Sequence, residues 1–503
     1  MKRFVAAILP AVLFTVVIGY LIEVNAPSPD VLTLNTQALQ GKPTIPFRKV
    51  FPTVQIALTT VDQQNALTPQ NPVTFSNNNL VLSQATISVD DQMTYQQILG
   101  FGASLTGSTV WELENKLTQP QRDALMTQLF DPNKGIGISL LRQPVGASDQ
   151  DAPGESPPTG FCSYDDNAGD TNLALFSIQH DISSHTIDLL QQAMHINPLL
   201  HVLAVPYCAP QWMLTYLDGY TTLNPVYYDV YSKYLIKFVQ AYASQKPPIP
   251  IWGIIPQNEP VHSYANIGNN MTADQEGTLI ANSLGPAMKR SGLNTKLLIY
   301  DHNWDVPEFP EQILAGPAGQ YVAGTSWHKY AGDVDAQSTV HNMYPDKGTF
   351  FTEDSPPVFD TDWNRYMPEA ANRIIDILHN WSQSYVQWTL ASNPDFGPGT
   401  CKPCGADTYV DDVNGNVTYA LPYYLLGHLS KYVKPQSYRI DSTDLSSGNI
   451  RSLAFKNPDG SIALVVYNGS SAAQTFTVNW QGASFSYALP SNAMATFTWS
   501  PTK

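Results

Sequence analysis

The central part of the chain alternates short apolar runs with stretches in which apolar residues recur at helical spacing. The eight apolar runs cover residues 98–103, 136–143, 201–207, 251–257, 296–300, 323–328, 348–352 and 385–390. Helical patterns lie between them, for example over residues 120–130, 186–194, 228–243 and 368–381. Eight strands in alternation with helices predict an α/β fold of the TIM-barrel type, a (β/α)8 barrel with a parallel sheet.

The two ends of the chain show a different pattern, in which apolar and polar residues alternate over short segments separated by turn residues. Such segments cover residues 54–59, 85–89, 452–455, 462–467, 475–478 and 495–498. This alternation is typical of antiparallel strands. We therefore predict a side β-sandwich domain built from both chain ends, with residues 50–95 and 433–503 flanking a barrel of residues 96–432.

The amino terminus has the pattern of an export signal. Lys2 and Arg3 precede an apolar run over residues 4–22, and small residues near Ala26 offer a cleavage site. The run also has about the 20 residues that span a bilayer, so residues 1–26 are predicted to be a signal peptide or a retained membrane anchor. Residues 27–49 lack periodicity and are predicted to be a linker. We expect a secreted or extracytoplasmic protein that contacts membranes only through this segment, if it is uncleaved.

Composition and charge narrow the class of ligand. The chain has 503 residues and a formal charge of -16, from 42 acidic and 26 basic residues, which argues against nucleic acid or an anionic membrane surface as partner. Only 14% of the residues are charged, and the many aromatic and neutral polar residues are typical of secreted proteins that bind neutral polar ligands such as sugars.

The cysteines also fit an oxidising compartment. Cys401 and Cys404 form a CxxC motif without a second such motif or a spaced histidine pair, so a local disulfide is favoured over a metal site. Cys162 and Cys208 could pair with each other or remain free.

Two of the apolar runs end in a carboxylate. Residues 251–257 lead into Asn258, Glu259 and Pro260, and residues 348–352 lead into Glu353. A single Glu is more often a solvated surface residue. Because the carboxyl ends of parallel strands meet on the rim of a barrel where active sites lie, two in this setting are predicted to share one cleft.

Two carboxylates facing one another are what a retaining glycosidase requires. One attacks the anomeric carbon and the other donates a proton to the leaving oxygen, at a separation of roughly 5 to 5.5 Å. We predict Glu259 as the acid/base, because the amide of Asn258 beside it can hydrogen-bond the sugar 2-hydroxyl, and Glu353 as the nucleophile. This mechanism requires no metal and no organic cofactor.

Further motifs accompany the two carboxylates, at residues 100–106 (GFGASLT), 135–137 (GIG), 141–149 (LRQPVGASD), 257–260 (QNEP), 351–353 (FTE) and 426–432 (LGHLSKY). On these motifs the chain, from about residue 96 to residue 499, resembles glycoside hydrolase family 30, which includes lysosomal-type glucosylceramidases and microbial β-1,6-glucanases. The resemblance implies a barrel fused to a side β-sandwich made from both chain ends. It also implies a retaining mechanism with the two Glu roles given above.

The resemblance implies further substrate-binding residues by motif position. Asp149 falls where the family binds outer hydroxyls of the glycone, and Arg142 where an arginine supports the nucleophile. Tyr330 and Trp388 also match site positions, with Tyr330 able to hydrogen-bond the nucleophile. Two alternatives stay open: Arg142 could be a structural ion-pair partner, and Asp149 could cap the following loop.

Other aromatic and imidazole side chains lie near the strand ends. Trp212 and Trp327 are expected to be packing residues. His302 and His328 are candidates for polar contacts at the rim, although a structural role is the favoured interpretation for each.

Three positions depart from the family pattern. Tyr207, also a candidate substrate-binding residue, stands where the glucosylceramidase branch has Trp, and Lys329 replaces an aromatic residue. Asp354 follows Glu353 where a small or neutral residue is usual. Because neighbouring strand residues point to opposite faces, Asp354 can be turned away from the cleft; facing the cleft, it would raise the pKa of Glu353.

The expectation that results is a secreted, glucosylceramidase-like retaining β-glycosidase that acts on a β-glucoside, a β-glucan or glucosylceramide. An endo- or exo-β-1,6-glucanase is the alternative within the family. A catalytically inactive carbohydrate-binding protein, prompted by Asp354 and Tyr207, is the alternative from another class.

Overall fold

The computed structural model describes residues 51–77, 85–155, 160–217, 219–261, 269–356, 362–401, 404–445 and 449–501. The predicted signal peptide or anchor and the predicted linker lie outside these residues. Within the described ranges, none of the helices combines the length and the apolar character that crossing a membrane requires.

The strands and helices follow the predicted alternation. In chain order the strands are β1 (Thr53–Thr60), β2 (Thr68–Thr74), β3 (Ala85–Gln97), β4 (Gly100–Ser104), β5 (Leu140–Pro144), β6 (His201–Val205), β7 (Leu214–Leu217), β8 (Tyr220–Leu223), β9 (Ile251–Ile254), β10 (Lys296–Asn303), β11 (Gly324–His328), β12 (Gly348–Glu353), β13 (Ser384–Gln387), β14 (Ala391–Ser392), β15 (Thr408–Val410), β16 (Val417–Tyr419), β17 (Tyr438–Ser442), β18 (Ile450–Lys456), β19 (Ile462–Asn468), β20 (Gln474–Trp480), β21 (Ala483–Leu489) and β22 (Ala493–Trp499). The helices are α1 (Gly107–Asn115), α2 (Gln119–Phe130), α3 (Gln179–Ser183), α4 (Thr186–Ile196), α5 (Tyr228–Ala243), α6 (Ala273–Leu279), α7 (Gly285–Ser291), α8 (Glu308–Ala315), α9 (Asp335–Met343), α10 (Trp363–His379) and α11 (Leu421–Ser430).

Local sequence explains where several helices begin. Thr106 precedes α1, and its hydroxyl accepts a hydrogen bond from the backbone N–H of Thr109. Thr272 precedes α6 and forms a reciprocal capping box with Gln275. These side chains satisfy N–H groups that have no partner within the helix. Each cap therefore fixes the point at which the chain leaves a barrel loop and enters a helix.

The barrel consists of the eight parallel strands that the sequence predicted. Around the barrel the order is β4, β5, β6, β9, β10, β11, β12 and β13, and β13 pairs again with β4. Isolated bridges from Thr349 to Ser382 and from Asp354 to Gln387 join β12 to β13. This order brings the ends of β9 and β12 to one rim, and the (β/α)8 prediction is confirmed.

Strands from both chain ends form one nine-stranded sheet, in the order β2-β1-β22-β19-β18-β17-β3-β20-β21. Phe75, which follows β2 at one edge, packs against Trp480 and Phe485 near the other edge, with ring centroids 5.6 and 4.9 Å apart. The sheet therefore folds over an apolar core into a sandwich, as predicted. The sequence patterns missed β2, β17 and β21.

Polar contacts attach the sandwich to the barrel. The two ring nitrogens of His428, in α11, lie 2.8 Å from the hydroxyls of Thr59 and Thr496. Burial lowers the pKa of His428 to about 3, so this histidine is neutral. Arg451 of β18 donates to Asp376 of α10 at 2.7 Å.

Candidate active site

The two predicted catalytic carboxylates meet at the rim of the barrel. Glu353 is the last residue of β12, and Glu259 follows β9 in a left-handed backbone conformation with φ 44°. One carboxylate oxygen of each residue and a ring nitrogen of His328 all lie within 4.8 Å of one another. Glu259 and Glu353 are 4% and 6% exposed, so both carboxylates are buried at the rim.

Three donors hold the carboxylate of Glu353. Arg142 Nη1 and the hydroxyl of Tyr207 each donate to Oε2 at 2.7 Å. The hydroxyl of Tyr330 donates to Oε1 at 2.8 Å. A guanidinium and two hydroxyls therefore fix the orientation of the Glu353 carboxylate.

Arg142 is fully buried and contacts both sides of the site. Its Nη2 donates to Asp301 Oδ2 at 2.7 Å and to Asn258 Oδ1 at 2.6 Å. Burial works against the charge of Arg142, but Asp301, Tyr207 and Glu353 raise its pKa well above the ordinary value. Both interpretations of Arg142 therefore hold at once, since it is a structural ion-pair partner of Asp301 and a direct contact of Glu353.

Imidazole groups surround Glu259. Its Oε1 lies 2.8 Å from His328 Nδ1 and 3.7 Å from His302 Nδ1. Burial opposes ionisation of Glu259, but His302 and His328 outweigh it and lower its pKa to about 2. Burial likewise works against a charge on His328, whose pKa Glu353 and Asp301 raise to about 10. The Glu259–His328 pair thus holds one exchangeable proton across a wide pH range.

Asp301 is the anionic partner of both Arg142 and His328. Its Oδ1 accepts a hydrogen bond from Thr352 at 2.6 Å and lies 3.4 Å from His328 Nε2. Although burial opposes its ionisation, Arg142 and His328 lower the pKa of Asp301 below its ordinary range. Asp301 therefore keeps a negative charge between the two cationic groups that face the catalytic pair.

The carboxyl group of Asp149 has a buried Oδ1 and interacts electrostatically with Glu353 and Glu259. Its Oδ1 has no hydrogen-bond partner among the described residues, and the backbone N–H of Ser148 is capped by Asp151 at 2.9 Å. Burial, together with the charges of Glu353 and Glu259, raises the pKa of Asp149 to about 7. Oδ1 of Asp149 therefore remains available to accept a hydrogen bond from a ligand hydroxyl.

Trp388 and Tyr207 form an aromatic wall beside Arg142. Their rings stack with centroids 5.3 Å apart, and the guanidinium lies 5.6 Å from the Trp388 ring. Trp327 is fully buried and donates to Thr325 Oγ1 at 2.8 Å, as expected of a packing residue. Trp212 is partly buried and donates to the backbone oxygen of Asp165.

All four cysteines are paired in two disulfides. Cys401 is bonded to Cys404, as the sequence favoured, with 5.5 Å between the Cα atoms. Cys162 is bonded to Cys208, directly after Tyr207, with a Cα separation of 5.7 Å. The second disulfide joins the loop after β5 to the end of β6 and braces the rim.

Two groups of side chains have the spacing of metal ligands among the described residues. They are Asp149 with Cys401 and Cys404, and Glu259 with His328 and Glu353. The cysteines are joined in a disulfide and are not free to bind a metal. In the group of Glu259, His328 and Glu353, Arg142 pairs with Glu353 and His328 pairs with Glu259, so both carboxylates already have cationic partners.

Sequence reasoning missed Asp301 and favoured a structural role for His328, although both lie in the centre of the site. A signal was present, since Asp301 follows the predicted fifth strand as Glu259 follows the fourth, and His328 ends the sixth. Residues at the carboxyl ends of barrel strands line the rim where active sites lie, and both positions satisfy this rule. An Asp or a His at such a position does not by itself indicate a role in the site, because that role depends on the side chains around it.

The chain matches two family models, the glycosyl hydrolase family 30 TIM-barrel domain over residues 98–433 and the glycosyl hydrolase family 30 beta sandwich domain over residues 436–497. The chain belongs to glycoside hydrolase family 30. It is 32% identical over 410 residues to an endo-1,6-beta-D-glucanase of Trichoderma harzianum, covering 76% of this chain and 80% of the relative. It is 30% identical over 419 residues to putative glucosylceramidase 2 of Caenorhabditis elegans, covering 79% of each chain.

A solved structure is similar to this chain over most of its length. An endo-beta1,6-glucanase superposes with a TM-score of 0.81 and 29% identity, covering 89% of this chain and 99% of the other. The protein is therefore a glycoside hydrolase of family 30 with a carbohydrate substrate.

Proposed function

We propose that this family 30 enzyme hydrolyses β-glucosidic bonds with retention, using Glu353 as nucleophile and Glu259 as acid/base. The observation that carries the proposal is the short distance between the two carboxylates, whose nearest oxygens lie within 4.8 Å of each other. Retaining enzymes hold the two groups roughly 5 to 5.5 Å apart, whereas inverting enzymes keep them roughly 6.5 to 9.5 Å apart to admit a water molecule.

The first step uses the fixed charge on Glu353. With Arg142 2.7 Å from Oε2, the carboxylate is ionised and attacks the anomeric carbon as the glycosidic bond breaks. Glu259 gives its proton to the leaving oxygen. His328, 2.8 Å away, shares that proton, and the exclusion of water by a bound sugar favours the neutral pair in which Glu259 is protonated.

In the second step Glu259 removes a proton from water, which attacks the glycosyl ester on Glu353. The proton returns to the Glu259–His328 pair, so the enzyme is restored. Asn258 Oδ1 accepts from Arg142 at 2.6 Å, which leaves the amide nitrogen to donate to the sugar 2-hydroxyl. Asp149 binds the outer hydroxyls, and the stacked rings of Tyr207 and Trp388 form the wall beside the glycone.

For the substrate we propose a β-1,6-linked glucan. The support comes from relatives named as endo-1,6-beta-D-glucanases, at 32% identity in sequence and with a TM-score of 0.81 in structure. Glucosylceramide is the second candidate, because relatives named as putative glucosylceramidases match at 30% identity. A secreted or extracytoplasmic location is part of the proposal, supported by the export-signal pattern of residues 1–26 and by two disulfides.

The features that prompted an inactive binding protein are compatible with catalysis. The hydroxyl of Tyr207 donates to Glu353 at 2.7 Å and so adds a donor to the nucleophile. The carboxylate of Asp354 is paired with Lys329 and Arg373. Neither residue is therefore an argument against Glu353 as the nucleophile.

The test compares release of reducing sugar from a linear β-1,6-glucan, an aryl β-glucoside and glucosylceramide, by the wild type and by Glu353→Gln. We expect activity on the glucan and the aryl glucoside, and a loss of at least about 10⁴-fold in the variant. Near-normal turnover by Glu353→Gln would contradict the nucleophile assignment. Hydrolysis of glucosylceramide alone would select the second candidate.

Azide separates the two carboxylate roles. In Glu259→Ala, azide attacks the glycosyl enzyme from the face of the departed group, so the product is a β-glucosyl azide. In Glu353→Ala, azide replaces the nucleophile and attacks from the opposite face, which gives an α-glucosyl azide. The reverse pattern would exchange the two assignments.

A further inference from the structure

Two residues that depart from the family pattern, Lys329 and Asp354, are bound to each other in the structure. Lys329 Nζ forms an ion pair with Asp354 Oδ1 and donates to the backbone oxygen of Ser355 at 2.8 Å. The side chain of Asp354 is fully buried, and that of Lys329 is 13% exposed. A buried carboxylate and a buried ammonium are each costly alone, so pairing offsets part of the cost of burying Lys329 and Asp354.

Asp354 also contacts a helix and the next strand. Arg373 of α10 donates to it through Nε at 2.9 Å and through Nη2 at 3.4 Å. The hydroxyl of Tyr385, in β13, donates to Oδ2. The Asp354 side chain therefore connects the end of β12 to three neighbouring elements, namely the segment after β11, helix α10 and strand β13.

This cluster of Lys329, Asp354, Arg373 and Tyr385 reaches the site through two backbone contacts. The N–H of Trp388 donates to the backbone oxygen of Asp354 at 3.0 Å. The N–H of Ser355, whose carbonyl is held by Lys329, donates to the Tyr330 hydroxyl at 3.2 Å. That hydroxyl in turn donates to Glu353.

We propose that Asp354 is a positioning residue for Glu353, Tyr330 and Trp388, and that Lys329 is the matched cation that makes a carboxylate next to the nucleophile compatible with catalysis. The inference rests on the proposed nucleophilic role of Glu353. Lys329 and Arg373 both pair with the carboxylate of Asp354 and offset its charge beside Glu353. The other acidic groups that interact with the cluster are Glu369, through Lys329, and Asp407, through Asp354. The partners of Asp354 are Lys329, Arg373 and Tyr385, which agrees with the first of the two orientations that the sequence left open.

The test uses Lys329→Met, Asp354→Asn and the double variant on an aryl β-glucoside, with kcat and KM measured across pH. We expect Asp354→Asn to lower kcat by about 100-fold, the loss expected from a small misplacement of reacting groups, with a much smaller change in KM. Lys329→Met should lower kcat less. Because the residues are in contact, the double variant should lose less than the product of the single losses.

The acid limb of the kcat/KM profile separates positioning with charge balance from a purely structural role. Lys329→Met removes a positive charge near Glu353 and should move the limb to higher pH, whereas Asp354→Asn removes a negative charge and should move it to lower pH. Shifts in the same direction, or unchanged limbs with unchanged kcat, would overturn the proposal. Should Asp354→Asn not fold, Tyr385→Phe replaces it, with a fall in kcat expected and an unchanged kcat contradicting the proposal.

A matched control is available in the β-sandwich. Lys434→Met breaks the Lys434–Asp459 pair, whose side chains are both 51% exposed, and should leave kcat and the pH limbs unchanged. The wild type and Glu353→Gln are assayed in parallel. If Glu353→Gln retains activity, the proposed function fails; if it is inactive while the cluster variants behave as wild type, only the present inference fails.

Discussion

The two sides of the cleft hold their carboxylates in different ways. Glu353, on the β12 side, is bound by the guanidinium of Arg142 and by two tyrosine hydroxyls, at 2.7 to 2.8 Å. Glu259, on the β9 side, is approached by the imidazoles of His328 and His302 at 2.8 and 3.7 Å. Guanidinium and phenol groups keep their protons at ordinary pH, whereas His328, whose pKa is raised to about 10, and Glu259 together hold one proton that can move between them.

This difference explains how one residue type can perform two tasks a few ångströms apart. A nucleophile must remain ionised, and donors that do not titrate serve that need. An acid/base must release and recover a proton in every cycle, and a partner that can carry the proton serves that need. The environment of each Glu therefore suits it to the role proposed for it above.

The largest effect is expected from removing the fixed cation, with Arg142→Met. Glu353 and Asp301 would lose their shared partner in a buried setting. We expect a fall in kcat/KM of about 10³-fold, from the lost electrostatic support of the ionised nucleophile. We also expect a loss of about 3–5 kcal/mol in the free energy of unfolding, measured by denaturant titration, because two buried carboxylates lose the guanidinium that pairs with both.

Arg451→Met is the matched control for this loss. Arg451 binds Asp376 and Asp444 at 2.7 and 2.8 Å, remote from the cleft. It should lower the free energy of unfolding while kcat stays near the wild-type value. If Arg142→Met also lowered the free energy of unfolding and left kcat unchanged, the proposed difference between the surroundings of Glu353 and Glu259 would be wrong.

A smaller effect is expected from His328→Gln, which removes the titratable partner of Glu259. We expect kcat to fall by about 10- to 100-fold, below the full contribution of acid–base catalysis because Glu259 remains. With His328 absent, the proton is held by Glu259 alone. The alkaline limb of the kcat/KM profile should therefore move to lower pH.

Stability gives a second measurement on His328. Its folded-state pKa of about 10 lies above the ordinary value of 6.5, so its contribution to stability is complete below pH 6.5 and is lost as pH rises towards 10. The wild type should lose more unfolding free energy than His328→Gln across this interval. His428→Gln, at a neutral histidine between two threonine hydroxyls, should leave the kcat/KM profile in place; a shift there as large as that of His328→Gln would contradict this interpretation.

The sequence alone predicted the barrel and the proximity of Glu259 and Glu353 because each signal is local. An apolar run that leads into Glu259 or Glu353 predicts a strand and places the Glu at its carboxyl end. In a parallel barrel these ends lie on the same rim. The missed sandwich strands had weaker signals. For example, β2 contains two prolines and is polar over most of its length, as an edge strand allows.

The rest of the site depends on conformation and partners that no pattern encodes. Tyr300 and Asp301 have positive φ values of 77° and 51°, which interrupt the regular register between β10 and β11 near the site. Two-residue alternation cannot anticipate that placement of Asp301. Similarly, His328 and His428 are the same residue type, and only their neighbours make one charged and the other neutral.

The smallest effect is expected from Tyr207→Phe, which removes one of the three donors to Glu353 and keeps the ring stacked on Trp388. Replacing one hydrogen bond costs about 0.5–1.5 kcal/mol, so kcat should fall by roughly 2- to 12-fold. Tyr467→Phe, whose hydroxyl donates to Asn492 in the β-sandwich, should leave kcat unchanged. A loss for Tyr207→Phe as large as that for Arg142→Met would mean that the phenol, and not the guanidinium, keeps the nucleophile ionised.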